Sequence, residues 1–186
     1  ELTHQDADAT ERLITDLAWL LRYTLKSSAE GRVPLSQELE AIERYLRIEQ
    51  ARLGSRLLVE VDVEPELLEL EIPGLVLQPL VENAVKYAAS ATAKKAVVSV
   101  DGEREHGRLV LRVSDNGPGL PPEIVERLAT SAVPTVDRAG PAGAGTGGAG
   151  GGLANVQQRL ALTYRGDAAI TAEPTDEGTC LRLELP

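Results

Sequence analysis

The chain has 186 residues, of which 42% are hydrophobic, and its formal net charge is −10. This length and apolar fraction predict one compact domain with a smaller accessory segment. The negative charge disfavours any role that depends on non-specific binding to nucleic acid or to anionic membrane surfaces, because both present phosphate groups. A phosphate-bearing ligand would need local geometry or a metal ion to hold it.

The sequence gives three indications about the cellular compartment of the chain and about the protein it comes from. Its one cysteine, Cys180, excludes an internal disulfide and suits a reducing compartment. No apolar run approaches the roughly 20 residues that span a bilayer. The sequence has no methionine, so Glu1 is not an initiator, and we expect the chain to be a piece of a longer protein.

Residues 1–55 predict two amphipathic helices. Apolar residues recur at helical spacing from Asp8 to about Ser27, and a second helix follows Gly31 and Pro34 with Ser36 as its cap. The apolar positions are Leu13, Leu17, Leu20, Leu21 and Leu25 in the first helix, and Leu39, Ile42, Leu46 and Leu53 in the second. We expect an antiparallel hairpin that is covered either by a second copy, forming a four-helix bundle, or by the following domain, and we favour the second copy.

Residues 56–186 predict a separate domain that mixes strands and helices. Valines alternate with acidic residues from Leu57 onward, which predicts a half-exposed strand. Further strands are predicted at 96–101, 108–115, 168–172 and 179–185, with a polar turn at 102–107. Helices are predicted at 75–88, from Pro121-Pro122 to about Ala129, and at 153–164. Helices alternating with a mostly antiparallel sheet predict an α+β fold, built as a two-layer α/β sandwich.

One acidic side chain ends the predicted strand 108–115. Asp115 is followed by Asn116, Gly117, Pro118 and Gly119, and the two glycines would let a planar group approach the backbone because they lack a Cβ. The same residues are typical of a turn that ends a strand, and this segment alone favours the turn.

The predicted helix 75–88 has a polar face. Asn83, Lys86 and Tyr87 stand at positions i, i+3 and i+4 and so share one side of the helix. The amide oxygen of Asn83 can complete a Mg²⁺ shell that is crowded with phosphate oxygens, and Lys86 can pair with a phosphate. This helix alone slightly favours the alternative, in which Glu82 and Lys86 form an ordinary surface ion pair and Asn83 is solvated.

A glycine-rich stretch precedes the predicted helix 153–164. Eight of the thirteen residues from Gly140 to Gly152 are glycine. The stretch from Gly145 to Gly150 matches the dinucleotide fingerprint formally, but that fingerprint requires a strand directly before it, and here a long polar loop precedes it. Amides at the helix start could bind phosphate oxygens; a flexible linker is the alternative, and neither is favoured.

Four segments in chain order resemble one family. The N, G1 and G2 boxes and the terminal strand of the GHKL ATPases resemble Pro79-Leu-Val-Glu-Asn83-Ala-Val-Lys86-Tyr87, Asp115-Asn-Gly117-Pro-Gly119, Gly150-Gly-Gly152-Leu-Ala-Asn155-Val-Gln-Gln-Arg-Leu160 and Gly178-Thr179. The upstream helices, with Val33-Pro-Leu-Ser-Gln-Glu-Leu39 and Tyr45-Leu-Arg-Ile-Glu-Gln-Ala-Arg-Leu-Gly54, resemble the segment before the ATPase domain in LytS-type sensor histidine kinases. The resemblance implies a Bergerat-type ATP-binding fold after two helices of a dimerisation bundle.

The resemblance also implies roles for single residues. Asp115 would accept a hydrogen bond from the adenine amino group, and Asn83 would ligate Mg²⁺. Lys86 would face the phosphates as a catalytic residue, with Glu82 as a weaker candidate, beneath a lid formed by residues from about 130 to 150. The implied nucleotide-binding set is Asn83, Tyr87, Asp115, Gly117, Gly119, Gly150, Gly152, Leu153 and Thr179.

The phosphate acceptor of the family is the largest departure. Its histidine lies in a Pro-His-Phe-Leu-Phe-Asn motif, and this chain contains no phenylalanine. His4 stands in a polar, acidic segment and His106 in a predicted turn, so we interpret both as ordinary surface histidines. Pro79 stands where some members have a glutamate base that activates water, which fits transfer to a neutral imidazole that needs no base.

We therefore expect the ATP-binding catalytic part of a sensor histidine kinase, which uses ATP and Mg²⁺. The γ-phosphoryl group would pass to a histidine outside this chain and then to a response regulator. The helical segment would form a homodimer in the intact protein, and the chain would be cytoplasmic, with a parent that is either cytosolic or an integral membrane sensor. A non-catalytic nucleotide-sensing or dimerisation module is the alternative, and a serine kinase or chaperone-type ATPase is disfavoured by the two upstream helices.

Overall fold

A computed structural model describes residues 2–90, 95–129, 149–173 and 175–186. Its α-helices are α1 (Leu2–Glu30), α2 (Leu35–Leu53), α3 (Gln78–Ser90), α4 (Pro122–Ala129) and α5 (Ala149–Tyr164). Its strands are β1 (Arg32–Pro34), β2 (Leu57–Val63), β3 (Glu71–Pro73), β4 (Ala96–Glu105), β5 (Arg108–Asp115), β6 (Ala169–Glu173) and β7 (Thr179–Leu185). Within these residues no helix is long and apolar enough to cross a bilayer.

The main sheet has five strands in the order β2-β4-β5-β7-β6. The β2–β4 pair is parallel and the other pairs are antiparallel. Alternate side chains of β5 and β7 enter one hydrophobic core, to which α3 and α5 contribute from the same face of the sheet. The residues concerned are Leu109, Leu111 and Val113 of β5, and Leu181, Leu183 and Leu185 of β7. The predicted two-layer α/β sandwich is confirmed.

The opposite face of the sheet carries alternating arginines and glutamates. Arg112 of β5 pairs with Glu103 and Glu105, and Arg182 of β7 pairs with Glu105 at 2.9 Å and Glu184 at 2.7 Å. Arg112 and Arg182 stand directly opposite each other in the ladder, so the glutamates around them offset the repulsion between like charges. A face of this composition is suited to water and needs no covering layer.

The two N-terminal helices form the predicted antiparallel hairpin. Asp16 of α1 accepts hydrogen bonds from Arg44 at 2.8 Å and from Arg47 at 3.0 Å, and Arg47 holds the pKa of the Asp16 carboxyl below its usual value. The buried side of α2, which includes Leu39 and Ile42, belongs to the same core as the sheet. Of the two coverings considered from the sequence, docking on the following domain is therefore realised for α2.

One side of α1 remains uncovered. Its large apolar side chains at helical spacing are 62–69% exposed, and we call them the α1 stripe. The stripe consists of Ile14, Leu17, Leu21 and Leu25. This surface is free for the expected homodimer, whereas the buried side of α2 already packs on the sheet domain.

Several predicted boundaries were wrong. Ser36 does not cap α2: the helix begins at Leu35 after Pro34 without a side-chain cap, and the amides of Leu35 and Ser36 donate instead to the carbonyls of Leu70 and Leu68. The predicted turn 102–107 is shorter, since β4 continues to Glu105. The small antiparallel sheet of β1 and β3 was not predicted.

Candidate functional site

Asp115 ends the central strand β5 and is only 7% exposed. Its Oδ1 accepts a hydrogen bond from the Gly117 amide at 2.8 Å. Burial raises the pKa of the carboxyl from 3.8 to about 6, although the Gly117 amide and the Thr179 hydroxyl act to lower it. No cationic side chain among the described residues contributes to this balance. The carboxylate is therefore desolvated but retains capacity to accept a donor from a ligand.

Two glycines allow three chain segments to meet at Asp115. A Cβ on Gly117 would lie 2.7 Å from the carbonyl of Tyr87 in α3, and a Cβ on Gly178 would lie 1.8 Å from the carbonyl oxygen of Asp115. Gly178 has a φ of +79° and Gly119 a φ of +86°, both in the left-handed region that side chains rarely adopt. The turn before β7 and the helix α3 thus pack directly on the loop that follows β5.

Thr179 and Asn116 complete the surroundings of Asp115. Thr179 is 6% exposed and stands directly opposite Asp115 in the β5–β7 ladder. The Asn116 side chain accepts a hydrogen bond from the Val97 amide and donates one to the Lys95 carbonyl, both at 2.8 Å. Asn116 therefore fixes the loop to the start of β4. An asparagine after a strand is typical of a turn, but its contacts with β4 were not predicted from the sequence.

The polar residues of α3 divide between two environments. Asn83 and Tyr87 are partly buried, and the pKa of Tyr87 is raised by burial and then by the nearby charges of Asp115 and Glu123. Glu82 and Lys86 are exposed. Tyr87 is thus brought to the Asp115 side of the helix.

The ion pair considered between Glu82 and Lys86 is not among those of the described residues. Glu82 instead accepts a hydrogen bond from Gln78 at 2.8 Å. Burial raises the pKa of Tyr45 on α2, and the charges of Glu49 and then Glu82 add to that effect. Glu82 therefore lies toward the helical hairpin, and the structure does not bring it to Asp115.

The glycine-rich box forms the first turn of α5. This helix begins at Ala149 among the described residues, four residues before the predicted start near Leu153. Gly150 and Gly152 therefore lie within the first turn, where amides lack an intrahelical acceptor. A Cβ on Gly152 would lie 3.3 Å from the Cβ of Pro79 at the start of α3. The side chain of Leu153 is fully buried in the core, so only its backbone could face a nucleotide.

The predicted lid falls mostly outside the described residues, which omit 130–148. The described part of the site therefore consists of the loop after β5, the turn before β7, one side of α3 and the first turn of α5.

Residues 70–186 match the family model described as "Histidine kinase-, DNA gyrase B-, and HSP90-like ATPase", and residues 1–57 match the model "Histidine kinase". The sensor protein LytS of Bacillus subtilis is 30% identical over 186 residues, which is 100% of this chain and 30% of that protein. The chain thus spans about 30% of the length of the curated relatives that it matches first.

Two solved structures share the fold. The histidine kinase domain of the blue-light activated kinase EL346 from Erythrobacter litoralis has a TM-score of 0.55 at 18% identity, covering 100% of this chain and 82% of that one. The histidine kinase ThkA, solved in complex with the response regulator protein TrrA, has a TM-score of 0.53 at 15% identity, covering 93% and 48%. The chain belongs to the histidine kinase-, DNA gyrase B- and HSP90-like ATPase family.

Proposed function

We propose that this chain is the Mg·ATP-binding catalytic part of a two-component sensor histidine kinase. In the intact protein it would transfer the γ-phosphoryl group of ATP to a histidine outside this chain, from which a response regulator receives it. The observation that carries the proposal is Asp115, a buried carboxylate without a cationic partner among the described residues, at the meeting point of α3, β5 and the turn before β7.

Asp115 fits the recognition of an adenine amino group. One of its oxygens already accepts the Gly117 amide, which fixes the direction of the carboxylate. The remaining lone pairs can accept an N–H donor, and an ionised acceptor makes such a bond stronger than a neutral one. Gly117 and Gly119 keep the approach to the base free of side chains, and Thr179 borders it. Asp115 would bind the base and take no part in bond breaking.

Asn83 fits a role as the protein ligand of Mg²⁺. Among the described residues its buried side-chain nitrogen has no hydrogen-bond partner. The nitrogen and oxygen of an amide exchange places on a half-turn of the side chain, so the oxygen can occupy this position. When bound, Mg²⁺ would neutralise charge on the phosphate oxygens.

The remaining site residues would act on the phosphates. Lys86 is an exposed cation on α3 that can approach a phosphate chain, and the first-turn amides at Gly150, Gly152 and Leu153 can donate to phosphate oxygens. Tyr87 would lie against the nucleotide beside Asp115. Glu82 keeps only a weak claim to a catalytic role, because it lies toward α2.

The same proposal implies two protein partners and a cellular compartment. The α1 stripe would pack against a second copy of the chain in the intact protein, which would cover apolar side chains that are now 62–69% exposed. The complex of ThkA with a response regulator supports a partner of that class here. Dependence on Mg·ATP makes the cytoplasm the expected setting of this segment.

Asp115→Asn tests the proposal. Loss of the charged acceptor should weaken ATP binding about 10- to 100-fold, because a hydrogen bond to a charged group contributes ~1.5–3 kcal/mol. Asp62→Asn is the matched control, since Asp62 is an exposed residue of β2, and its ATP affinity should equal that of the wild type. Isothermal titration calorimetry measures the ATP affinity of the wild type and of both variants. No measurable ATP affinity in the wild type would contradict the proposal and favour a non-catalytic module of the same fold.

A further inference from the structure

The segment Gly74–Leu77 joins β3 to the start of α3, and it has an unusual backbone. Leu75 has a φ of +60°, which is rare for a residue with a branched side chain. Such a conformation persists only where surrounding contacts hold it in place. The amides of Leu80 and Val81 donate to the Leu77 carbonyl, so this segment leads directly into the first turn of α3.

The carboxylate of Glu38 on α2 holds this segment. Glu38 is 1% exposed. Its Oε1 accepts the Leu75 amide at 2.6 Å, and its Oε2 accepts the amides of Val76 at 3.1 Å and Leu77 at 3.0 Å. The hydroxyl of Tyr23 on α1 also donates to Oε1. Successive backbone amides around one anion form a nest, and here the anion belongs to the protein itself.

Every partner of Glu38 is a donor, which makes the carboxylate specific. A glutamine of the same size would turn an NH₂ group toward two of these donors, because it has only one oxygen. Burial raises the pKa of the Glu38 carboxyl, while the hydrogen bonds from Tyr23 and the three amides oppose that effect. Apolar packing could join α2 to this loop without burying a charge, whereas four donors directed at one carboxylate fix the position of the loop relative to α2.

The segment also contacts α1, the residue that follows α1, and α5. The Gly74 amide donates to the Gly31 carbonyl at 3.3 Å, and a Cβ on Gly74 would lie 2.9 Å from that of Ser27. Arg159 of α5 donates to the Gly74 carbonyl. Three helices therefore meet on the four residues that precede α3, and one of them carries the glycine-rich box.

We propose that Glu38 is a positioning residue of the nucleotide site, which fixes α3, and with it Asn83, through the Leu75–Leu77 amides. Asn83 lies six residues after Leu77, which is about 9 Å along a helix, and a helix transmits displacement of its first turn over that distance. Asp115 is paired within the β5–β7 ladder, and α3 approaches it through Tyr87 against Gly117, so Asp115 should depend less on Glu38 than Asn83 does. The inference rests on the proposed function, because it concerns the residue that would ligate Mg²⁺.

The test compares ATP affinity in Mg²⁺ with that in EDTA. In Glu38→Gln the ratio of the two affinities should fall about tenfold, because a displaced Asn83 removes the contribution of the ion while Asp115 still binds the base. Glu40→Gln, on the same helix, should keep the ratio of the wild type. Glu38→Asp keeps the charge on a shorter side chain, so its ratio of ATP affinity in Mg²⁺ to that in EDTA should lie between those of Glu38→Gln and the wild type. A purely structural role would lower the unfolding temperature of Glu38→Gln and leave the ratio unchanged, which overturns the inference.

A second measurement does not depend on nucleotide. Hydrogen exchange at the amides of α3 should become about tenfold faster in nucleotide-free Glu38→Gln relative to the amides of β5. Equal exchange at α3 in the variant and the wild type overturns the positioning role by itself. Absence of wild-type ATP binding would instead count against the proposed function, so the two failures are distinguishable. If Glu38→Gln does not fold, Glu38→Asp takes its place in both measurements, with the same direction of change expected at smaller size.

Discussion

Gly178→Ala should destabilise the protein and damage the nucleotide site together. The new Cβ would lie 1.8 Å from the Asp115 carbonyl oxygen and 2.8 Å from the Asn116 Cα. Ordinary van der Waals contact begins at 3.4 Å, so the loop after β5 would have to move by about 1.6 Å. A left-handed φ costs alanine ~1–2 kcal/mol by itself. Together with this displacement of packed backbone, we expect a loss of at least ~3 kcal/mol in the free energy of unfolding.

Gly107→Ala is the matched control for that substitution. Gly107 has a φ of +85°, and nothing lies within 4 Å of a Cβ placed there. Its replacement should therefore cost only the backbone term of ~1–2 kcal/mol. Guanidinium denaturation gives the free energy of unfolding for both variants, and calorimetry gives their ATP affinity, which should fall at least about tenfold for Gly178→Ala alone. Equal losses of stability within ~0.5 kcal/mol, with unchanged ATP affinity, would refute the reasoning from this contact.

Three further predictions concern charge, metal and assembly. The pKa of Asp115 is about 6 in the folded protein and 3.8 in the unfolded chain, so the folded state binds a proton more tightly. This proton binding stabilises the folded state fully below about pH 4, and the stabilisation is lost as the pH rises through 6. A donor on the base prefers the ionised form, so ATP affinity should rise up to ~10-fold from pH 5 to pH 7; a flat calorimetric profile would contradict this. Asn83→Ala should lower ATP affinity in Mg²⁺ and leave it unchanged in EDTA, and an equal loss in both would exclude metal ligation. In the intact protein, Leu21→Lys in the α1 stripe should shift sedimentation from dimer toward monomer without lowering the unfolding temperature, whereas a dimer that persists in this variant would show that the stripe is not the contact.

The sequence predicts elements well where their pattern repeats locally. The bounds of β5 and β7 were predicted correctly, because alternate apolar residues such as Leu109 and Leu111 signal one buried face. The β1–β3 sheet could not be found this way. Its strands have three residues each and pair Val33 with Ile72, so neither shows a period, and their pairing depends on contacts nearly forty residues apart.

The candidate site was predictable where it depends on residue type within a motif. By themselves Asp115 and the glycines after it are typical of a turn, and they were assigned to the candidate site because three other segments in chain order resemble motifs of the same family. Glu38 was not found, since a glutamate on an amphipathic helix is normally solvated. Its partners are the amides of Leu75, Val76 and Leu77, and a backbone amide leaves no signal in the sequence.

Glu38 and Asp115 are both buried carboxylates, but they differ in how many hydrogen-bond donors they receive. An ionised carboxylate has about four acceptor positions. Glu38 receives four donors from the protein, one hydroxyl and three amides. Asp115 receives one backbone amide and lies near one hydroxyl. Since an unsatisfied buried charge costs stability, the filled carboxylate is suited to joining parts of the chain, and the unfilled one gains most when a ligand supplies the missing donor. This difference is the physical reason to assign positioning to Glu38 and recognition to Asp115.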